Sequence, residues 1–305
     1  MNSGFDPKLL HPRHWPAWIG IGLLRALIFL PHPWLMALGR ALGGLARRLF
    51  PRRVEIARRN LELCFPELDQ AARERLVGDH FASLGMAAFE IPLAWWGGDR
   101  RFEGLTEISG LENLRAAAGE GKGVLLLSAH FSCLDIGGRF LGRHFEFDAM
   151  YRPSNSPVVE HVMSRSRARH CGEIIQREEI KKLLRRLRAG RAIWYAPDQN
   201  TQRKKAVFVK FFGHLASTTP ATHKLARMTG ARVVPFQTVR KADGSGYRLT
   251  LEPALEGFPS EDVEADTERV NRIIERWVRE DPEQYLWIHR RFRTRPDPND
   301  PKIYR

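Results

Sequence analysis

Cysteine is scarce. The 305 residues hold three, Cys64, Cys133 and Cys171, with no C-x-x-C spacing. That excludes a disulfide framework and a thiolate zinc site, and it fits a reducing compartment. Acidic charge is short as well: 35 Asp and Glu stand against 49 Lys and Arg, a formal net charge of +14. Such an excess draws anionic partners. No zinc-finger, RNP-like or helix-turn-helix pattern accompanies it, so a basic nucleic-acid-binding protein is the weaker reading and no nucleic-acid partner is expected. Internal repeats and low-complexity linkers are missing too. With 43% hydrophobic and 28% charged residues the chain reads as globular.

What is present begins with an apolar N-terminus. His14 to Arg53 is rich in Trp, Leu, Ile and Gly, and the run from Trp15 to Pro31 carries only Arg25. A membrane span needs about 20 apolar residues, so this run is at the short edge. There is no small-residue cleavage site, and apolar character resumes after Pro33. Trp15, Trp18 and Trp34 suit headgroup level, and Arg25 and Arg40 can snorkel. Residues 1–50 are therefore expected to be a helical membrane anchor, spanning or interfacial, with residues 51–305 as the folded domain; a buried helical hairpin of a soluble core is the plain alternative. Arg47, Arg48, Arg52, Arg53, Arg58 and Arg59 follow the apolar segment, against Glu55 alone. That asymmetry puts the domain on the cytoplasmic side.

From residue 54 the pattern alternates. Segments 54–65 and 71–96 have helical periodicity. Short β-like runs lie at 124–128, 147–151, 192–196, 207–212, 232–238 and 247–255, with helical stretches at 158–170, 178–189 and 220–228. The expected fold class is α/β: a mixed, mostly parallel sheet flanked by helices. Thr218 or Thr219 is the expected N-cap of the helix that Pro220 opens.

One strand delivers chemistry. "LLLSAHFSCLDIGG" opens as a buried strand and breaks at His130, with Asp135 five positions on. Ligands of α/β sheets sit outside the carboxyl ends of strands. Five helical residues rotate by about 500°, so the two side chains meet only if His130 sits in the turn before the helix. A carboxylate there fixes the tautomer of the imidazole, whose other nitrogen can take a proton from an alcohol. A helix-capping histidine is the plain alternative to this catalytic pair. A Cys133 thiol nucleophile served by His130 is the chemical rival. Metal ligation by His130, Asp135, His170 and Cys171 lacks a recognisable spacing.

The surroundings of the pair form a set. "LLHPRHWPAWIGIGLLRALIFLP", "RRNLELCFPEL", "YRPSNSPVVE", "WYAPDQN", "VFVKFFG", "LARMTGARVVPF" and "EQYLWIHRRFRTRP" occur in this order around the HxxxxD segment. Together they resemble the late lipid A acyltransferases of Gram-negative bacteria, the lauroyltransferase type above all, from about Leu9 to Pro296. That family is similar to the wider lysophospholipid and glycerol-phosphate acyltransferases. The resemblance implies an inner-membrane enzyme facing the cytoplasm, with acyl carrier protein as donor and a phosphorylated lipid A precursor as acceptor. Inner-membrane lipids are the surrounding partner, and no cofactor or metal is implied. It also implies His130 as general base oriented by Asp135, without an acyl-enzyme. Another glycolipid or glycerophospholipid acceptor is the alternative within the superfamily. The lauroyltransferase type commonly has glutamate where this chain has Asp135, which leaves acyl-chain choice open.

The remaining candidates follow from that frame. Backbone N–H groups at Gly137 and Gly138, or the Arg152 side chain after strand 147–151, are candidates for the developing oxyanion or a phosphate. Asp198, in "YAPDQN", is expected to position the acceptor or a site arginine, or to cap a turn. Lys181, Lys182, Arg185 and Arg186 form the basic cluster proposed for the acidic carrier or for phosphate.

Overall fold

The computed structural model describes residues 5–304. Two helices come first, α1 (Trp15–Leu27) and α2 (His32–Leu49), followed by α3 (Pro51–Cys64) and the long α4 (Gln70–Trp96). Then the chain alternates: β1 (Thr106–Ser109), α5 (Leu111–Gly119), β2 (Val124–Leu127), α6 (Leu134–Leu141), β3 (Phe147–Tyr151), α7 (Pro157–Arg167), β4 (Ile174–Gln176), α8 (Ile180–Arg188) and β5 (Ala192–Tyr195). A hairpin of β6 (Val207–Phe211) and β7 (His214–Thr218) precedes α9 (Ala221–Thr229), β8 (Arg232–Arg240), β9 (Tyr247–Leu251) and α10 (Val263–Glu280).

Seven strands form one sheet in the order β1-β9-β8-β2-β5-β3-β4. Only β8 and β9 pair antiparallel; the other neighbours run parallel. The mostly parallel α/β expectation stands. Parallel sheets have both faces covered, which is why β2 reads as an unbroken apolar run. Leu125 and Leu127 point into one apolar layer with α3, α8, α9 and α10, while Val124 and Leu126 point into the other with α2, α5 and α6. The 207–212 run is a strand, but it belongs to the separate β6–β7 hairpin. β1 and the three-residue β4 have no clear apolar run, and periodicity does not show them.

Local signals place several helices. Asp69 accepts from the Ala72 N–H at the start of α4, and Asp262 accepts from Glu264 and Ala265 at the start of α10. Ser156 caps α7, with Pro157 at its first position. At α9 the expected threonine cap does not form: Thr218 ends β7, and Pro220 stands at the cap without a side-chain bond.

The N-terminal segment departs from a span. Among the described residues no helix is long and apolar enough to cross a membrane. The reason is local: the chain turns between Ile28 and Pro31, and Pro31 stands at the cap of α2. The 13 residues of α1 reach only about 20 Å. α2 lies along α4 on a glycine contact. A methyl group at Gly43 would come within 2.0 Å of the Phe81 carbonyl, and one at Gly85 within 2.0 Å of the Gly39 carbonyl. The opposite side of α2 carries Leu38, Leu42, Leu45 and Leu49, all exposed, at helical spacing. Phe29 (79% exposed) stands at the turn between the two helices and Trp34 (65%) in the first turn of α2.

Candidate active site

The site lies at the carboxyl ends of the central strands β2 and β5. Their parallel register pairs Leu127 with Tyr195, an offset of 68 residues. Three residues further on, the same offset joins His130 to Asp198. His130 Nδ1 donates to Asp198 Oδ1 at 2.6 Å, and the His130 backbone N–H donates to Oδ2 at 3.1 Å. A carboxylate only accepts, so Nδ1 carries the proton, and Nε2 keeps its lone pair in the neutral ring. Asp198 is 2% exposed, whereas the His130 side chain is 33% exposed. The buried carboxylate therefore fixes a ring that is still reachable.

The electrostatics follow. Burial alone pulls the His130 pKa down, but the charge and hydrogen bond of Asp198 outweigh it, and the net direction is up. Burial pushes the Asp198 carboxyl up, and His130 more than offsets this, so its pKa ends below the ordinary value. A second histidine stands nearby. His289 Nε2 accepts from the Asn200 N–H at 3.0 Å. Burial lowers its pKa to about 4, so it is neutral. Around the pair, then, Asp198 carries the opposing charge.

The loop between β2 and α6 is pinned from the other side. Leu286 N–H donates to the His130 carbonyl at 3.0 Å, and Ser132 N–H donates to the Gln284 carbonyl at 2.8 Å. Phe131 forms a β-bridge with Tyr285. Tyr285 is buried, and the Asp198 charge raises its pKa further.

Asp135 is not the partner of His130 here. It lies in the first turn of α6, which aims it at α4 and α7. Asp135 accepts two bonds from Arg167, Nε to Oδ1 at 2.9 Å and Nη2 to Oδ2 at 2.9 Å. Trp95 Nε1 donates to the same Oδ1 at 3.1 Å. Spacing along the chain suggested the nearer carboxylate, while the sheet register supplied one 68 residues away. Asp198 was singled out in the sequence, but for a different role. Neither Arg167 nor Trp95 stands out in the sequence as a partner for a carboxylate.

The other sequence candidates sort as follows. Gly137 and Gly138 lie buried inside α6, and the Gly137 N–H is already donated to the Cys133 carbonyl at 3.2 Å. Their small size serves packing: a methyl at Gly137 would sit 2.2 Å from Thr238 Oγ1, and one at Gly138 2.6 Å from the Trp194 ring. They are not free oxyanion donors. Arg152 is exposed past the end of β3, two strands from β2, and the charge it acts on is that of Glu178. The structure does not bring it to His130. Cys133 is buried, its thiol donates to the Thr238 carbonyl at 3.2 Å, and burial pushes its pKa up to about 12. An inert thiol is expected there, not a nucleophile. On α8, Lys182 pairs with Glu173 at 2.8 Å and Arg186 with Asp148 at 2.7 Å, while Lys181 and Arg185 point to solvent. Among the described residues no three His, Cys, Asp or Glu side chains gather as a metal ion would require.

A strand-end histidine held by a buried carboxylate, with no activated thiol beside it, suits proton transfer to or from a hydroxyl. Comparison with known proteins bears on this arrangement. The family model described as bacterial lipid A biosynthesis acyltransferase matches residues 2–294. The chain belongs to that family. Among curated members of the lipid A acyltransferase family, it is similar to the lipid A biosynthesis palmitoleoyltransferase of Escherichia coli K12. That likeness is 42% identity over 293 residues, 96% of this chain and 95% of the relative. The lauroyltransferase of the same strain is 40% identical over 294 residues, 96% of each chain. The myristoyltransferase is 31% identical over 299 residues, 95% of this chain and 91% of that one. Palmitoleoyl and lauroyl relatives stand almost equally near, so overall identity leaves the acyl chain open.

Proposed function

We propose that this acyltransferase moves a fatty acyl group from acyl carrier protein onto a hydroxyl of an acyl chain of a lipid A precursor, with His130 as general base. The observation that carries this reading is the His130–Asp198 pair in a chain of the lipid A acyltransferase family. In the reaction the acceptor hydroxyl gives its proton to His130 Nε2 while its oxygen attacks the thioester carbonyl. The C–S bond breaks as the new ester forms, and the imidazolium returns the proton to the departing thiolate. Asp198 stabilises the imidazolium throughout and holds its orientation. No protein nucleophile enters, in keeping with the buried Cys133 thiol.

The helical pair α1–α2 supports placement in the membrane interface rather than across the bilayer. Its exposed Ile19, Leu23, Leu38, Leu42, Leu45 and Leu49 form the apolar surface such binding needs. Arg48 and Arg52, both exposed at the end of α2 and the start of α3, suit anionic headgroups. This is the inner membrane, with the catalytic domain on the cytoplasmic side where acyl carrier protein resides. Exposed Lys181 and Arg185 on α8 suit the acidic carrier.

The test is acceptor competition. Purified enzyme in detergent receives acyl carrier protein thioesters of several chain lengths, with lipid IVA, Kdo2-lipid IVA and a lysophospholipid as separate acceptors. Transfer to the lipid A precursors is expected. Transfer to the lysophospholipid alone overturns the substrate assignment.

A further inference from the structure

Behind the His130 loop lies a buried ion pair that the proposed reaction does not use. Arg240, the last residue of β8, is 6% exposed, and Glu90, in the C-terminal half of α4, is 1% exposed. Arg240 donates Nε to Glu90 Oε1 at 2.6 Å and Nη2 to Oε2 at 2.7 Å. Its guanidinium also reaches forward. Nη1 donates to Ser83 Oγ at 3.1 Å and Nη2 to Ser132 Oγ at 3.3 Å, and the two serine hydroxyls bond each other at 2.7 Å. Ser132 is two residues from His130. Gln284 completes the clamp: its Oε1 accepts from the Arg240 N–H at 2.8 Å, its Nε2 donates to the Arg240 carbonyl at 2.9 Å, and its own carbonyl takes the Ser132 N–H. On the far side Tyr247 OH donates to Glu90 Oε1 at 2.8 Å, and His32 Nε2, at the start of α2, lies 3.1 Å from that hydroxyl.

A buried ion pair is a poor device for stability, because the desolvation of both charges offsets their attraction. Its worth here is direction. Five donors in a fixed fork let Arg240 hold a carboxylate, a serine pair and the active-site loop in one geometry. We propose that Arg240 and Glu90 are positioning residues: through Ser132 they hold the loop that presents His130 to Asp198. This rests on the reading of His130 as the base. The same network ends at His32, so the loop and the N-terminal helical pair share one chain of hydrogen bonds.

Two variants test it. Ser132→Ala removes the hydroxyl link and leaves the ion pair and the Ser132 N–H bond to Gln284. Glu90→Leu with Arg240→Met replaces the pair by apolar side chains of similar volume, which spares the fold an unpaired charge. Each is measured for kcat, KM, thermal midpoint and the His130 titration by histidine NMR. Asp198 and His289 are the titratable neighbours of that ring, with Tyr285 and Arg291 acting on Asp198 and Arg291 and Arg53 acting on His289, and neither variant alters them. The expected result is kcat lower by about tenfold for Ser132→Ala and about a hundredfold for the double variant, with KM within threefold. The His130 titration should also move to lower pH as the ring leaves Asp198. Should the double variant not fold, Ser132→Ala alone decides. A folded Ser132→Ala enzyme with wild-type kcat, or a variant whose His130 titrates as in wild type, overturns the positioning role. The titration needs no substrate, so it separates failure of this proposal from failure of the proposed activity.

Discussion

Asp198→Asn is the most informative single change. The carboxylate accepts from both the His130 ring and the His130 backbone. An amide offers one accepting oxygen and one donating nitrogen. If its oxygen stays on the ring, the backbone N–H loses its partner. If the nitrogen faces the ring, Nδ1 must accept, the proton moves to Nε2, and the base is lost. In hydrolases with the same histidine–carboxylate logic, the wrong tautomer costs about 10⁴ in kcat. We expect a fall of about 10³ to 10⁴ here, or roughly 4 to 5.5 kcal/mol of transition-state stabilisation. KM should stay within a few-fold, because Asp198 is buried away from the substrate side. The pH profile supplies an independent sign. Asp198 raises the His130 pKa, so its loss lets burial dominate, and the acidic limb of kcat/KM moves to lower pH. The assay is steady-state transfer from a labelled acyl carrier protein thioester, with circular dichroism to confirm folding. Because the His130 pKa is raised, the pair's contribution to stability is complete below the ordinary histidine range and is lost as pH rises through the folded value. On the Asp198 side, where the pKa is depressed, stability is lost as pH falls through the folded value. A folded Asp198→Asn enzyme within tenfold of wild-type kcat, or with an unmoved acidic limb, would show that Asp198 does not hold His130 as the base.

Other expectations follow from the same structure. Asp135→Asn keeps one accepting oxygen for Arg167 and Trp95, so its kcat should fall far less than that of Asp198→Asn; a loss as deep would return the dyad to Asp135. Cys133→Ala should retain transfer, checked with the same labelled donor. Charge reversal at Lys181 and Arg185 should raise KM for acyl carrier protein at low salt with little change in kcat, while reversal at Arg186 should lower the thermal midpoint by breaking the Asp148 pair. Leu42→Glu with Leu45→Glu should weaken sedimentation with anionic vesicles without changing the melting temperature, since both side chains face outward.

The fold was legible wherever an element was apolar and long. The unbroken runs of β2 and β5 announced a covered parallel sheet, and the histidine at a strand end announced the site. What the sequence could not show was register. Nothing local says that residue 192 lies beside residue 124, yet that pairing decides which carboxylate meets His130. Proximity along the chain favoured Asp135, and the first turn of α6 points it instead toward Trp95 and Arg167. Gly137 and Gly138 looked like backbone donors because their packing partners, Thr238 and Trp194, come from distant strands. The basic cluster on α8 looked uniform because the carboxylates neutralising half of it, Asp148 and Glu173, lie on and beside neighbouring strands. The apolar N-terminus was visible at once, but its division into two short helices depended on where the chain turned before Pro31.

In the proposed reaction His130 Nε2 takes the proton of a lipid A precursor hydroxyl during acyl transfer. Mass spectrometry of the acceptor, after incubation with acyl carrier protein thioester and either wild-type or His130→Ala enzyme, tests it most directly. One added acyl ester is expected with wild type, and no ester above background with a folded His130→Ala protein. An acceptor acylated equally by both would contradict it.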